Sequence, residues 1–103
     1  MAIHVSAARL RDELTDLCPS ISKGRLVVVT GANRPPVLLR PLQGNDRGNP
    51  VTITRFRRQL HRVLREAQLK PIIVTSDGYP YFWVGRADEG VEAGDDRREL
   101  PDR

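Results

Sequence analysis

The feature that most constrains the fold of this chain is an internal repeat of about forty residues. Residues 3–40 align with residues 51–85 at an offset of 46 over the helical part, and at an offset of 45 after one residue is lost from the second copy. The aligned pairs include Val5 and Val51, Leu14 and Leu60, Thr30 and Thr75, Pro35 and Pro80, and Leu39 and Val84. Because a unit of this size buries too little surface to be stable alone, we expect the two copies to pack on each other.

The first copy contains a predicted amphipathic helix. Ser6 offers a side-chain oxygen as its N-cap, and apolar residues follow at helical spacing. Pro19 removes a backbone donor and clashes with the preceding turn, so the helix is expected to end or kink near Leu17 or Cys18. Gly24 is the predicted C-terminal stop of any turn beyond.

The second copy contains a more regular helix, with Thr52 or Thr54 as its cap. Its apolar stripe fits one helical face and consists of Phe56, Leu60, Val63, Leu64 and Ala67. The opposite face is basic and shows Arg55, Arg58, Arg62 and Arg65.

Short β-branched runs flank both helices and indicate a β-α-β-β unit in each copy. The predicted strands are residues 3–5, 25–30 and 37–40 in the first copy, and residues 51–53, 72–75 and 79–85 in the second. Residues 31–36 and 76–78 are predicted turns, and the first carries Asn33 and Arg34 at its tip. The aromatic residues of the last strand are expected in the core, with base stacking by Tyr79 or Tyr81 as the alternative.

Two segments lie outside the repeats. Residues 41–50 hold two Pro, two Gly and two Asn and almost nothing to bury, so they are predicted to be a linker. Residues 87–103 are acidic and contain only Val91 and Leu100 as large apolar groups, so they are expected to be disordered.

Charge is distributed unevenly along the chain. The formal net charge is +4, made up of +3 over residues 1–50, +5 over residues 51–86 and −4 over residues 87–103. A basic body followed by an acidic end is typical of a domain that binds a polyanion. The alternative is that these arginines are ordinary solvated residues of helix surfaces.

The sequence lacks the patterns of several other classes of protein. The single cysteine, Cys18, lies on the apolar stripe of the first helix and is expected to be a small core residue. His4 and His61 have no second ligand at metal spacing, and no Walker, G-x-G-x-x-G, G-x-S-x-G or H-E-x-x-H motif occurs. We therefore expect no enzyme activity and no cofactor. Without a membrane-spanning run or a secretory signal, the protein is expected to be cytoplasmic.

The repeated order of a capped helix, a strand, a G-x-P turn and an apolar strand resembles the N-terminal domain of the Phd/YefM family of antitoxins. In the second copy, the family's T-x-x-R-x-N-L pattern is matched by Thr54, Arg57, Arg58, Gln59 and Leu60, with Gln59 in the place of Asn. Its V-I-T-x-x-G-x-P hairpin is matched by Ile73, Val74, Thr75, Gly78 and Pro80. In the first copy, the hairpin stretch is matched by Lys23, Gly24, Val28, Val29, Thr30, Asn33 and Pro35, with Asn33 in the glycine place.

The resemblance implies an α+β fold of two Phd/YefM-like β-α-β-β units packed as an intrachain pseudo-dimer. The units are residues 1–40 and 51–86, with the linker 41–50 between them and the acidic tail 87–103 after them. Family members usually carry one unit per chain and dimerise, so this chain resembles a fused dimer. Members that neutralise a toxin also carry a longer segment beyond the hairpin, whereas this chain has only the short acidic tail.

The resemblance also implies binding to double-stranded DNA, since the family inserts the helix N-terminus into the major groove while basic hairpin residues contact the backbone. Carried across by position, the DNA-binding residues are Arg9, Arg11, Arg34, Thr54, Arg55, Arg57 and Arg58. Arginine suits this role because it binds guanine through two hydrogen bonds. Ala7 and Ala8 replace bulkier residues of the second copy, so the half-sites are expected to differ and the operator to be an imperfect palindrome.

The leading hypothesis is therefore a sequence-specific DNA-binding repressor that recognises an operator. One alternative is an antitoxin or adaptor that binds a toxin or another protein through its tail or apolar hairpin surface. A third hypothesis is structural assembly, in which the protein self-associates through an exposed sheet edge. The first predicts binding to DNA that weakens steeply with salt.

Overall fold

The computed structural model describes residues 2–31 and 34–87 of the 103-residue chain. The expectations for Asn33 and for the disorder of residues 88–103 lie outside the described residues. The strands are β1 (Ala2–Ser6), β2 (Leu26–Gly31), β3 (Arg34–Arg40), β4 (Asn49–Thr52), β5 (Ile72–Ser76) and β6 (Tyr79–Arg86). The helices are α1 (Ala7–Ser22), α2 (Ile53–Arg58) and α3 (Leu60–Leu69). The expected mixed α+β class is confirmed.

All six strands form one sheet in the order β1-β2-β3-β6-β5-β4. Within each half the first two strands are parallel and the hairpin is antiparallel, and the halves meet where β3 pairs antiparallel with β6. At that junction Leu39 lies directly opposite Val84. These two residues are equivalent in the sequence repeat, so the sheet has the same order of strands when followed inward from either edge.

The first helix begins as predicted, and it runs through Pro19 without ending there. The Ser6 hydroxyl accepts a hydrogen bond from the Arg9 backbone N–H at 3.2 Å, which is the expected N-cap. The helix continues through Pro19 to Ser22, so of the two predicted effects of this proline, an end or a kink near Leu17 or Cys18, the end is wrong. An internal proline costs about 3 kcal/mol. The last turn nevertheless buries Ile21 fully, beside Leu17 and Cys18 of the preceding turn, and burying a side chain such as Ile21 contributes about 1.5–3 kcal/mol.

The predicted stop at Gly24 is confirmed. Its φ is +127°, a conformation that favours glycine. The Gly24 N–H donates to the Ile21 carbonyl, and the Arg25 N–H donates to the Ser20 carbonyl, both at 3.0 Å. This pair of hydrogen bonds is the Schellman pattern that satisfies the last carbonyls of a helix.

The second helix is divided, whereas the sequence predicts one continuous helix. Gln59, at φ −120° and ψ 43°, separates α2 from α3. The hydrogen-bond ladder still crosses this point, because the Gln59 N–H donates to the Arg55 carbonyl at 2.8 Å and the Gln59 carbonyl accepts from the Val63 N–H at 2.9 Å. Of the two predicted caps, Thr52 makes the contact, accepting from the Arg55 N–H at 3.1 Å.

The strands are longer than predicted at several ends. The strand β3 begins at Arg34 rather than at Val37, so the first hairpin turn is tighter than the predicted residues 31–36. Pro35 and Pro36 fit there because pairing with β6 starts only at Val37, which leaves the prolines bonded on one side at most. In the second hairpin Asp77 and Gly78 both have positive φ, as a two-residue turn requires.

The helices cover one face of the sheet and share a single hydrophobic core. The predicted stripe of the second helix is buried in full, and it packs with the first helix and the inward residues of the strands. The fully buried large side chains include Leu10, Leu14, Ile21, Leu39, Phe56, Leu60, Phe82 and Val84. Phe56 and Phe82 meet edge to face with ring centroids 5.7 Å apart. Residues of both copies therefore complete one core, as expected if the two copies pack on each other.

The opposite face of the sheet is closed by a different set of contacts. Trp83 is buried there and its indole lies over Gly85, where a Cβ atom would come within 2.3 Å of the ring. The guanidinium of Arg40, the cross-strand neighbour of Trp83, lies 4.1 Å from the ring centroid. Arg40 also forms two hydrogen bonds of 2.9 Å to the Asp46 carboxylate, which accepts a third from the Gln43 N–H.

The segment predicted as a linker thus has a structural role. β4 starts at Asn49, so the connection is shorter than residues 41–50, and Asp46 within it pairs with a guanidinium that is only 5% exposed. Burial raises the pKa of Asp46, but the hydrogen bonds from Arg40 and Gln43 and the charge of Arg40 outweigh it and hold the pKa below its ordinary value. The ion pair anchors the connection to the sheet.

Replacing Asp46 by Ala should lower the free energy of unfolding by about 3 kcal/mol, because it leaves the Arg40 guanidinium buried without its partner. Chemical denaturation followed by Trp83 fluorescence measures this. Glu13→Gln is the matched control, since it breaks the exposed Arg9–Glu13 pair and should cost less than about 1 kcal/mol. Equal losses for the two variants would contradict a structural role for Asp46.

Candidate nucleic-acid interface

Each half of the sheet places a helix start beside its own hairpin. Ser6, which precedes α1, pairs with Thr30 near the end of β2, and Thr52, which precedes α2, pairs with Thr75 near the end of β5. Because β3 and β6 run antiparallel, these two helix-plus-hairpin ends lie at opposite ends of the sheet. Both helices remain on the same face, so the two ends can approach one ligand together.

The first arginine of each helix is engaged within the protein. The Arg9 Nε donates to Glu13 Oε2 at 2.8 Å, and the Arg55 Nε donates to Gln59 Oε1 at 2.9 Å. These contacts occupy equivalent positions of the repeat. Arg55 also donates through Nη2 to Glu66 Oε2 at 2.6 Å, which ties α2 to α3. Both guanidiniums keep further N–H donors, since arginine carries five.

Three other arginines predicted to bind DNA are exposed, and their side chains are free to contact a ligand. Within residues 2–31 and 34–87, no hydrogen bond or ion pair involves the side chain of Arg11, Arg57 or Arg58. Thr54 is exposed at the second position of α2. Arg34 opens β3 opposite Gly31, at the hairpin end beside α1, and only its backbone is described.

The structure brings Arg11 and Arg58 together in a groove between the two helical regions. This open groove has a volume of about 300 Å³ and is lined on one side by Arg11 of α1. The other side consists of Arg58, Gln59, Leu60, His61 and Arg62. Three arginines and a histidine therefore converge on one concave surface. Because the first repeat supplies Arg11 and the second supplies the rest, the groove exists only when the two repeats are packed together.

His61 and Arg62 are additions to the residues nominated from the sequence. They stand three and four positions after Arg58, which places all three side chains on one helical face. The spacing of His61 and Arg62 after Arg58 is visible in the sequence and could have predicted their place in the site. The approach of Arg11 from the other repeat could not be predicted in this way, because it depends on how α1 crosses the sheet.

The aromatic residues are mostly structural, as predicted. Phe82 is in the core, Trp83 is buried on the opposite face, and Tyr81 packs against the core at its edge. Tyr79 is the exception, with 76% of its surface exposed at the second hairpin. Of the two tyrosines considered for base stacking, Tyr79 is exposed and Tyr81 is half-buried.

Cys18 is buried on α1, as predicted for a core residue. Burial raises the pKa of the Cys18 thiol from the ordinary value of 9.0 to about 11, and the nearby positive charge of Arg57 lowers it in part. A thiol with this pKa is protonated at neutral pH and is a poor nucleophile.

Neither metal-binding clusters, membrane-spanning helices nor similarity to known proteins indicates a further functional site among the described residues. Over the described ranges, no three His, Cys, Asp or Glu residues are grouped to hold a metal ion, and no helix is long and apolar enough to cross a membrane. Comparisons of the chain with family models, with curated proteins and with solved structures found no match.

The raised pKa of Cys18 predicts a loss of stability at high pH. The folded thiol holds its proton above pH 9.0, where the unfolded thiol releases it, so stability is lost as the pH rises towards about 11. The free energy of unfolding should therefore fall more steeply between pH 9 and pH 11 in the wild type than in Cys18→Ala. Parallel pH profiles for the two proteins would contradict the burial of the thiol. The comparison removes the titration of other groups, which both proteins share.

Proposed function

We propose that this protein is a sequence-specific double-stranded DNA-binding regulator, built as a fused pair of Phd/YefM-like units. The observation that carries the proposal is the basic groove of Arg11, Arg58, His61 and Arg62 on the helix-covered face. A concave surface with this charge suits a polyanion, and its two walls come from the two repeats. The repeated motifs, the helix caps and the shared end of helix and hairpin all support the same class of protein.

The size of the molecule fits two successive major grooves of DNA. Its longest dimension is 40 Å, and major grooves on one side of B-DNA are about 34 Å apart. With the helix face toward the duplex, the two helix-plus-hairpin ends would address neighbouring half-sites. The basic groove between them would cross the sugar-phosphate backbone. Unequal residues at the two helix starts make the expected operator an imperfect palindrome.

The nominated side chains divide into two roles in this arrangement. Arg11, Arg57 and Arg58 are exposed and uncommitted, so they are the proposed contacts to base edges and phosphates. Arg9 and Arg55 are held by Glu13 and Gln59, and they would bind phosphate through their remaining N–H groups. Thr54 and the first-turn amides of α2 would add neutral phosphate contacts, and Arg34 would reach the backbone from the first hairpin.

A titration of duplex DNA at rising salt tests the proposed class of function. Phosphate neutralisation by several arginines predicts that log K falls linearly with log salt, with a slope of about −0.9 for each phosphate contacted. A slope of about −3 or steeper is expected. An absence of binding to any duplex at low salt would reject the proposal. Binding to a protein partner that DNA does not compete for would favour the antitoxin or adaptor alternative.

Removing a single arginine from the groove tests its location. Arg11→Ala and Arg58→Ala should each weaken DNA binding by about 1–3 kcal/mol if the side chain reads a base, with the loss confined to certain sequences. Arg47→Ala is the matched control, because Arg47 is exposed in the connection between the repeats, next to the ion pair of the opposite face. Equal affinities for Arg11→Ala and Arg47→Ala would exclude the groove as the binding surface.

A further inference from the structure

The two helices carry opposite charges at equivalent positions of the repeat. At the offset of 46, Asp12 falls on Arg58 and Asp16 falls on Arg62. All four side chains are exposed on the helix-covered side of the molecule. The buried residues of the same helices, such as Leu14 and Leu60, are by contrast alike. The repeat has therefore kept its core and reversed the charge of one outer face.

This reversal falls at positions that line the basic groove. The equivalent of Arg11 in the second copy is Arg57, but only Arg11 lines the described groove, together with Arg58 and Arg62 of the other repeat. The wall that faces Arg11 offers two further arginines. The equivalent positions of α1 carry the exposed Asp12 and Asp16 instead.

The acids of α1 are available to repel a polyanion. Glu13 is offset by its ion pair with Arg9 at 2.8 Å, but no hydrogen bond or ion pair among the described residues involves the carboxylate of Asp12 or of Asp16. A phosphate placed over the second repeat would meet two positive charges at these positions. A phosphate placed over the first repeat would meet two negative charges.

We propose that recognition of DNA is one-sided: the second repeat together with Arg11 binds one half-site tightly, and the acidic face of α1 keeps the first repeat from reading the other half equally. This inference rests on the DNA-binding function proposed above and adds its geometry. The strand order of the protein is symmetric, but the two repeats carry different charges on the DNA-binding face. Its operator has one strong half-site, and the weaker half contributes little sequence information.

Selection of bound sequences from a random duplex pool by the wild-type chain tests the proposal. The expected result is a motif with strong base preferences in one half-site only. A motif in which both half-sites carry equal preferences would overturn the one-sided arrangement while leaving the DNA-binding function in place. A pool that yields no enriched motif, together with no salt-sensitive binding, would overturn the DNA-binding function and the inference with it.

A charge-restoring variant provides an independent test. Asp12→Arg with Asp16→Arg gives α1 the charges of the second repeat, and it should convert the selected motif into a two-fold symmetric one. The salt slope should become steeper by about 2, since about 0.9 is expected for each added phosphate contact. A motif that stays one-sided with an unchanged slope would contradict the role given to the acids.

The control variant adds charge elsewhere. Gln43→Arg with Asn45→Arg places two arginines on exposed positions of the connection between the repeats, away from the helices. It should leave the symmetry of the selected motif unchanged. If this control also made the motif symmetric, net charge rather than the position of Asp12 and Asp16 would be the cause. Circular dichroism of both variants verifies that the fold is retained.

Discussion

The structure depends on the antiparallel pairing of β3 with β6. At its centre Leu39 lies opposite Val84, and this contact joins two three-strand halves that could not bury a core separately. The pairing also places both helical regions on one side of the sheet, where their apolar faces complete a shared core. The groove between Arg11 and Arg58 is a consequence of the same pairing, because its walls belong to different halves.

The two faces of the sheet are stabilised in different ways, and this difference bears on function. One face is covered by helices whose outer surfaces carry the free arginines. The other face is closed by Trp83, Arg40 and Asp46, so the buried ion pair of Arg40 with Asp46 serves the connection between the repeats. The charges left for a partner are therefore concentrated on the helix side. Their imbalance between α1 and the second repeat gives a symmetric backbone an asymmetric surface.

Much of the fold could be predicted from the sequence because the repeat aligns apolar positions that the structure buries. The helix stripe from Phe56 to Ala67, the cap at Ser6 and the stop at Gly24 all depend on local spacing, which a sequence shows directly. The sequence left open whether α1 ends or kinks at Pro19, and its continuation to Ser22 depends on tertiary burial of the last turn. The ion pair of Arg40 with Asp46 was missed for a similar reason, since it depends on how the connection returns over Trp83.

The candidate site was predictable only in part. The sequence indicates the basic face of the second helix, including Arg58, because its residues recur at helical spacing. It does not show that Arg11 crosses to that face, nor that Arg9 and Arg55 are held by Glu13 and Gln59. The central claim, that DNA binds on the helix face, can be tested by nuclear magnetic resonance of the full chain titrated with duplex DNA at low salt. Binding on the helix face predicts amide shifts around Arg11, Arg58 and Arg62, with Trp83 and Asp46 unaffected. Shifts confined to the Trp83 face would contradict binding on the helix face.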